Sequence, residues 1–477
     1  MSRFDVAVLG GGPAGMAAAT CAALHGARVV LLDENAIPGG QGYRAAMPGV
    51  SAASGPDARE GDRLRAALVA SGAEVRSGQR VWALGGGPLV APGDTLAPFR
   101  LDACNDAATA TIEARSLIVC AGAHERIVPF AGWTLPGVMG LAAATILLKS
   151  QAVMPGTRTV VAGTGPLLAA VAAGILSKGG RVVGVVDLAS RTDWLWQLPA
   201  LARRPPLLAR GAGWLARIVS AGVPLLSGHR VVRALGADAV EAVEVAPLTD
   251  GVTRRLDCDA LCVGHGLVPA IEATLLYRAG HVFRPARGGW VPVLDGSQRS
   301  TVPLLYAAGD GAGVAGVAAA PLAGEIAALA ALADLGLLAA EDAEQAIAAR
   351  RRARSRPARV GAAMSAMMAP PRDLVDRIPP DCVVCRCEDV TRAELEAAAD
   401  VGSRDLNQLK HFTRCGMGPC QGRMCGEAAA ELLARRVGSR EAVGTWTARV
   451  PLRPVPMAAL LDRFDYADIP IPAPAPI

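Results

Sequence analysis

The sequence predicts an α/β chain with two dinucleotide-binding (Rossmann-like) domains and a small helical domain near its C-terminus. Three observations carry that expectation. Two glycine-bearing turns each follow a short apolar run, and each leads through a helix-forming segment to a second apolar run ending in an acid. Six of the eleven cysteines crowd into residues 382–425. The other five (Cys21, Cys104, Cys120, Cys258 and Cys262) lie singly in apolar segments, with no C-x-x-C pair among them.

The first unit opens with "FDVAVL" at 4–9, a run suited to a buried parallel strand. "GGGPAG" follows, then a helix closed by Gly26, then "ARVVLLDE" as a second strand. Gly10, Gly12 and Gly15 fit G-x-G-x-x-G: a tight turn, a close backbone approach to a pyrophosphate, and close helix packing. The helix N-terminus supplies donors and a positive dipole end for phosphates. Asp33 ends the second strand and would accept from the adenosine ribose hydroxyls, with Glu34 as runner-up. Gln41, in "PGGQG", joins the cofactor-binding candidates.

The second unit spans 157–191. Gly163 and Gly165 match the pattern, but the third position holds Leu168, which should spread helix and strand and compete for space near the phosphates. Asp187 ends its strand and would favour an unphosphorylated ribose. A bound dinucleotide and a retained fold with an empty site are both open here.

Between and after these units, "LIVCAGAHERIVP" and "LCVGHGLVPA" read as strands running into turns, with Gly122 a further cofactor-binding candidate. "LLYAAGDGAG" is a strand followed by Gly309 and Asp310, then a glycine-rich helix start. An acid at that corner can accept from a ribityl hydroxyl while serving as an N-cap. His124 and His265 sit in strand-to-turn corners and read as packed, hydrogen-bonded side chains before proton carriers, so no catalytic acid or base is assigned.

The cysteine window combines "VCRCEDV" at 384–390 with "CGMGPCQGRMC" at 415–425. A C-x-C turn can present two sulfurs toward one side, while zinc usually takes C-x₂₋₄-C spacings. Between the pairs, "TRAEL" offers a capping box from Thr391 to Glu394, "DLNQLKHF" a second helix, and "CGEAAAELLARR" a third whose N-terminal donors suit a negative cluster.

A chain of 477 residues is expected to form two to three domains. The formal charge of +5 comes from arginines scattered singly, with three lysines in all and no interleaved aromatics, which argues against a nucleic-acid partner. No run approaches ~20 uninterrupted apolar residues, so no transmembrane segment is expected. The glycines and Asp5 near the N-terminus suit a strand–turn–helix better than a signal peptide. Cysteines without a disulfide framework point to a reducing compartment, hence a cytoplasmic chain, with association at the inner membrane face left open.

With these residues in hand, "VAVLGGGPAG", "LIVCAGA" and "LLYAAGDGAG" resemble two-dinucleotide-fold flavoproteins of the pyridine-nucleotide-disulfide-reductase type. "HERIVPFAGWTLPGVM", "GTGPLL", "VGHGLVP" and the cysteine window resemble something narrower: the larger subunit of heteromeric amine and amino-acid dehydrogenases. That group includes the opine oxidase A subunit, the hydrogen cyanide synthase B subunit, and the α subunits of D-hydroxyproline and dye-linked proline dehydrogenases. The resemblance implies FAD in the first fold, with ATP or NAD as alternatives, and FMN at a subunit interface as a further cofactor. The cysteine window resembles the bacterioferritin-associated-ferredoxin (BFD-like) [2Fe–2S] domain. This implies Cys385, Cys387, Cys420 and Cys425 as ligands, Cys382 and Cys415 as non-ligands, and Cys415 as first substitute.

The reading that follows is an electron-transfer subunit. Its implied partners are an amino-acid-oxidase-like FAD subunit, a small additional ferredoxin-like subunit and a quinone-like acceptor. The substrate would be an opine, D-hydroxyproline or similar imino acid. A self-sufficient NAD(P)H-dependent reductase feeding a ferredoxin-like acceptor is the alternative; a non-catalytic scaffold is a third. The expected domains are 1–135 with 270–340 for the first fold, 136–269 for the inserted fold, 341–380 for a connector, 381–440 for the cluster domain and 441–477 for a Pro-rich arm.

Overall fold

A computed structural model of the chain describes residues 2–50, 55–87, 97–105, 108–249 and 251–461. The first fold begins β1 (Ser2–Leu9), α1 (Pro13–Leu24), β2 (Val29–Asp33), α2 (Pro56–Ala70) and β3 (Glu74–Ser77). An antiparallel run follows: β4 (Arg80–Gly86), β5 (Phe99–Cys104) and β6 (Thr109–Val119). The strands order as β3-β2-β1-β6-β5-β4. The apolar runs are continuous because both faces of the sheet are covered. Val6, Val8 and Leu31 belong to one core with α1, and Ala7, Val30 and Leu32 to another with Phe99 and Leu101.

The chain then crosses to the second fold through β7 (Ala123–Glu125). That fold holds β8 (Val138–Gly140), α3 (Leu141–Ile146), β9 (Arg158–Gly163), α4 (Leu167–Ser177), β10 (Arg181–Asp187), α5 (Arg191–Leu201), α6 (Pro205–Ser220) and β11 (Leu225–Ser227). A meander of β12 (His229–Leu235), β13 (Ala242–Pro247) and β14 (Arg254–Asp257) leads to β15 (Ala260–Gly264). Its parallel sheet orders β11-β10-β9-β15-β8. The return crossing, β16 (Leu267–Pro269), pairs antiparallel with β7. The first strand of this link, β7, ends ahead of residue 136: Ile127, Val128, Phe130 and Trp133 already pack in the second fold's core.

Back in the first fold come α7 (Glu272–Leu276), β17 (His281–Arg284), β18 (Gly289–Pro292), β19 (Leu305–Ala307) and α8 (Ala320–Asp334). β6 is long enough to serve two neighbours on one side: β5 along 109–114 and β19 along 117–119. A 28-residue helix, α9 (Ala340–Met367), then runs from α8 to the second fold.

The C-terminal domain contains β20 (Val383–Cys385), β21 (Val390–Thr391), α10 (Arg392–Asp400), α11 (Leu406–Thr413), α12 (Gly426–Val437), α13 (Arg440–Val443) and α14 (Ala458–Leu461). The capping box forms: Thr391 Oγ1 accepts from the Glu394 N–H, and Glu394 Oε2 accepts from the Thr391 N–H. The domain is not a detached bead. Leu395, Leu409 and Leu433 share one core with Val160, Val186 and Val243 of the second fold, and the Trp133 indole N–H donates to the Val383 carbonyl at 2.6 Å. The arm expected from residue 441 lies over the first fold, where the Leu452 N–H donates to the Trp82 carbonyl. Residues 462–477, its expected tip, lie outside the described residues. No helix among the described residues is long and apolar enough to cross a membrane.

Candidate cofactor and metal sites

The glycines of the first turn divide by what surrounds them. A Cβ on Gly10 would strike the Cys120 carbonyl, and one on Gly15 would strike the Gly10 carbonyl, so both are demanded by packing. A Cβ on Gly12 would meet only the Gly40 Cα, at 3.9 Å, and would project into the opening above the turn. α1 starts there with no side-chain cap and no acid in its first turn. An open, uncapped helix start is what a pyrophosphate requires, and these residues fit one.

Asp33 stands where the sequence places it, buried at the end of β2. Its Oδ2 accepts from the Gly11 N–H at 2.5 Å, and its Oδ1 from both nitrogens of Asn35. Asn35 accepts from Arg44, and Arg44 also donates to Gln41 Oε1 at 3.3 Å, so Gln41 reaches Asp33 through a polar relay that the motif alone does not show. Gly122 and Gly309 both take positive φ, and Gly311 abuts Gly122. Asp310 Oδ1 accepts from the Ala315 and Gly316 N–H groups; burial pushes its carboxyl up and these donors oppose it. Gly12, Gly122, Gly309 and Asp310 therefore border one edge of the first fold.

The corresponding turn of the second fold is covered. A Cβ on Gly165 would run into the Met368 side chain, and one on Gly266 into the Met368 carbonyl. Thr164 Oγ1 donates to the Met367 carbonyl at 2.9 Å. The expectation for Leu168 is corrected: its side chain is buried with Val161, Ile175 and Cys262 beneath the turn, and the space above is taken by the end of α9. Asp187 is engaged too. It accepts from the Trp194 indole at 3.0 Å and the Ala189 N–H at 2.9 Å, and burial lifts it to about 6.

Cys385, Cys415 and Cys425 bring their sulfurs within 4.8 Å of one another, all buried. Hydrogen bonds from Cys415 and Cys425 hold Cys385 far below the ordinary thiol value and raise its two partners. Cys387 and Cys420 interact as a second pair. Five thiols thus gather where four were expected, with Cys415 the addition. Cys382 stays apart, with its Sγ directed to the Val383 carbonyl. An all-sulfur donor set fits an iron–sulfur group or zinc. The indole of Trp446 packs over Gly416, Gly422 and Gly426 and roofs the loop.

Ion pairs hold this nest against the first fold. Arg423, three residues past Cys420, pairs with Glu272 at 2.7 Å. Arg126 pairs with Glu427, and Arg440, 1 % exposed, bridges Glu427 and Glu431 at 3.0 Å each. Burial alone would raise Glu427, but Arg440 and Arg126 overcome it and hold the carboxyl at about 2. His124 lies in the same field, its Nδ1 buried without a hydrogen-bond partner among the described residues; burial lowers its pKa, with Glu272 and Glu427 opposing. His265 accepts from the Val128 N–H and is lowered to about 4 by burial, a packed neutral ring. Neither the buried arginine nor Met368 carries a sequence signal, because single Arg and Met residues in linkers are ordinary.

Two nucleotide folds joined by a two-stranded link, with a thiol nest docked on them, define a flavoprotein-type oxidoreductase. The pyridine nucleotide-disulphide oxidoreductase description matches residues 4–327, and the sarcosine oxidase A3 domain matches 382–463. The A subunit of opine oxidase from Agrobacterium tumefaciens is 35% identical over 96% of this chain and 91% of its own. Hydrogen cyanide synthase subunit HcnB of Pseudomonas protegens is 35% identical over 95% of this chain and 96% of its own. The chain belongs to the pyridine nucleotide-disulphide oxidoreductase family, within the group of these oxidase and synthase subunits. Among solved structures, L-proline dehydrogenase from P. horikoshii shares the fold at TM-score 0.69 and 20% identity, over 96% of this chain and 80% of that one.

Proposed function

We propose that the chain is the electron-transfer subunit of a heteromeric, FAD-dependent amino-acid dehydrogenase. A partner oxidase-like subunit oxidises a C–N bond of an opine, D-hydroxyproline or similar imino acid, and this chain passes the electrons to a quinone-like acceptor. A small ferredoxin-like subunit completes the assembly. The nucleotide of the first fold (FAD, with ATP or NAD as alternatives), an interfacial FMN and a [2Fe–2S] centre would supply the redox chemistry. Gly10, Gly12, Gly15, Asp33, Gln41, Gly122, Gly309 and Asp310 hold the nucleotide. Cys385, Cys387, Cys420 and Cys425 hold the metal.

The observation that carries this reading is the docking of the thiol nest. Arg423–Glu272 and Arg126–Glu427 fix it against the first fold, beside the corner that follows Gly122. Docking of the thiol nest on the nucleotide fold through partly buried ion pairs supports a relay role. The self-sufficient reductase is opposed by Met368, which stands over the second fold's turn where a nicotinamide nucleotide would lay its phosphates. Eleven free thiols fit a reducing compartment, so the reading places the complex in the cytoplasm.

Co-expression with an oxidase-like partner subunit tests it. Dye reduction with opines, D-hydroxyproline, proline or glycine should appear only in the complex. Turnover of any of these by the single chain would refute the electron-transfer role. Iron and acid-labile sulfide should each be present at about two per chain; one zinc without sulfide would refute the cluster.

A further inference from the structure

We propose that Cys415 is a reserve ligand of the metal centre, able to take an iron when Cys425 is lost. The inference rests on the reading that the nest holds a [2Fe–2S] group. Each iron of such a group has four sulfur neighbours, two of them bridging sulfides, leaving room for two thiolates. Two irons therefore take four cysteines. The structure gathers five, divided three and two: Cys385, Cys415 and Cys425 at one pole, Cys387 and Cys420 at the other. The pole of three exceeds the need of one iron by one thiol.

Cys385 is the shared member of the three. It lies on β20, receives hydrogen bonds from both other thiols, and takes further ones from the backbone N–H groups of Gly416 and Glu388. Cys415 and Cys425 reach it from the ends of different helices, just past α11 and just before α12. Cys425 is the residue at the start of α12. Cys415 follows Arg414, whose positive φ ends α11 and turns the chain back, and the Cys415 N–H donates to Thr413 Oγ1 at 3.2 Å. Both thiols are buried, at 0 % and 1 % exposure, so water does not compete for a metal at either. Because the two sulfurs stand near one point and hang from separate anchors, removing one leaves the other within reach of the same iron. A cysteine kept only for packing would not need to lie among ligands, since a small apolar side chain fills that volume as well.

Alanine variants of the full chain separate the roles, since alanine cannot ligate. Iron and acid-labile sulfide per chain, the visible spectrum and the paramagnetic spectrum of the reduced protein are the readouts, with circular dichroism as the check on folding. Cys415→Ala should keep the wild-type content and spectrum. Cys425→Ala should keep at least half the content with a shifted paramagnetic spectrum. Cys415→Ala/Cys425→Ala should fall to background, as should Cys420→Ala, whose pole has no third thiol. Loss of the cluster in a folded Cys425→Ala, or its survival in the double variant, overturns the proposal. If Cys425→Ala does not fold, Cys425→Ser with and without Cys415 decides, and equal cluster content in the two overturns it. Wild-type protein without iron and sulfide would instead sink the cluster reading itself.

Discussion

Thr164 Oγ1 donates a 2.9 Å hydrogen bond to the carbonyl of Met367, and the next residue, Met368, rests on Gly165. The end of α9 is thereby sewn to the Gly163–Gly165 turn of the second fold. NADH should accordingly bind the wild-type chain with a Kd weaker than about 1 mM by calorimetry. Leu168→Gly should not improve it, because Leu168 lies beneath the turn in the core. Met368→Gly should strengthen it by uncovering Gly165. A tight complex with the wild type would overturn this expectation of weak binding.

Two glycine substitutions in the first turn should fail in different ways. Gly12→Val projects into the opening, so the protein should fold and lose its bound nucleotide. Gly15→Ala strikes the Gly10 carbonyl and should reduce stability and yield instead. Nucleotide released on denaturation, measured beside the melting temperature, distinguishes them. Full nucleotide content in folded Gly12→Val would place the site elsewhere.

The buried pairing of Arg440 with Glu427 and Glu431 should be sensitive to losing one member. Glu427→Gln leaves Arg440 undercompensated and should destabilise by about 3–5 kcal/mol in chemical denaturation. Glu427→Gln/Arg440→Met should recover part of that loss, since the isolated charge goes with its partner. For pH the sign follows from a folded value of about 2 against an ordinary 4.5. Glu427's contribution is full above 4.5 and is lost as pH falls through about 2.

Glu125 predicts the opposite slope. Its carboxyl accepts from the Ala142 N–H, and burial lifts it to about 7. The folded state holds a proton that the unfolded state has released, so this group weakens stability as pH rises from 4.5 to 7, by on the order of 3 kcal/mol. Denaturation midpoints at both ends of that window should converge in Glu125→Gln. An unchanged slope would show that Glu125 does not titrate there.

Much of this protein is local, and local features are legible in a sequence. The turn at Gly10–Gly15, the Gly309–Asp310 corner and the Thr391–Glu394 cap each depend on residues a few positions apart, and Asp33, one strand–turn–helix unit after the first turn, accepts from the Gly11 N–H. The crowding of cysteines pointed to a thiol cluster, and three of those sulfurs come within 4.8 Å of one another. What only the tertiary structure decided is which groups of different elements share a point. Met368 over Gly165, Trp194 on Asp187, Cys415 beside Cys385 and Arg440 between two glutamates all join separate elements. Their residue types are ordinary and their spacing carries no period. Met368 reaches Gly165 because α9 returns the chain to the second fold, and the other three groups meet where neighbouring elements of one domain pack together.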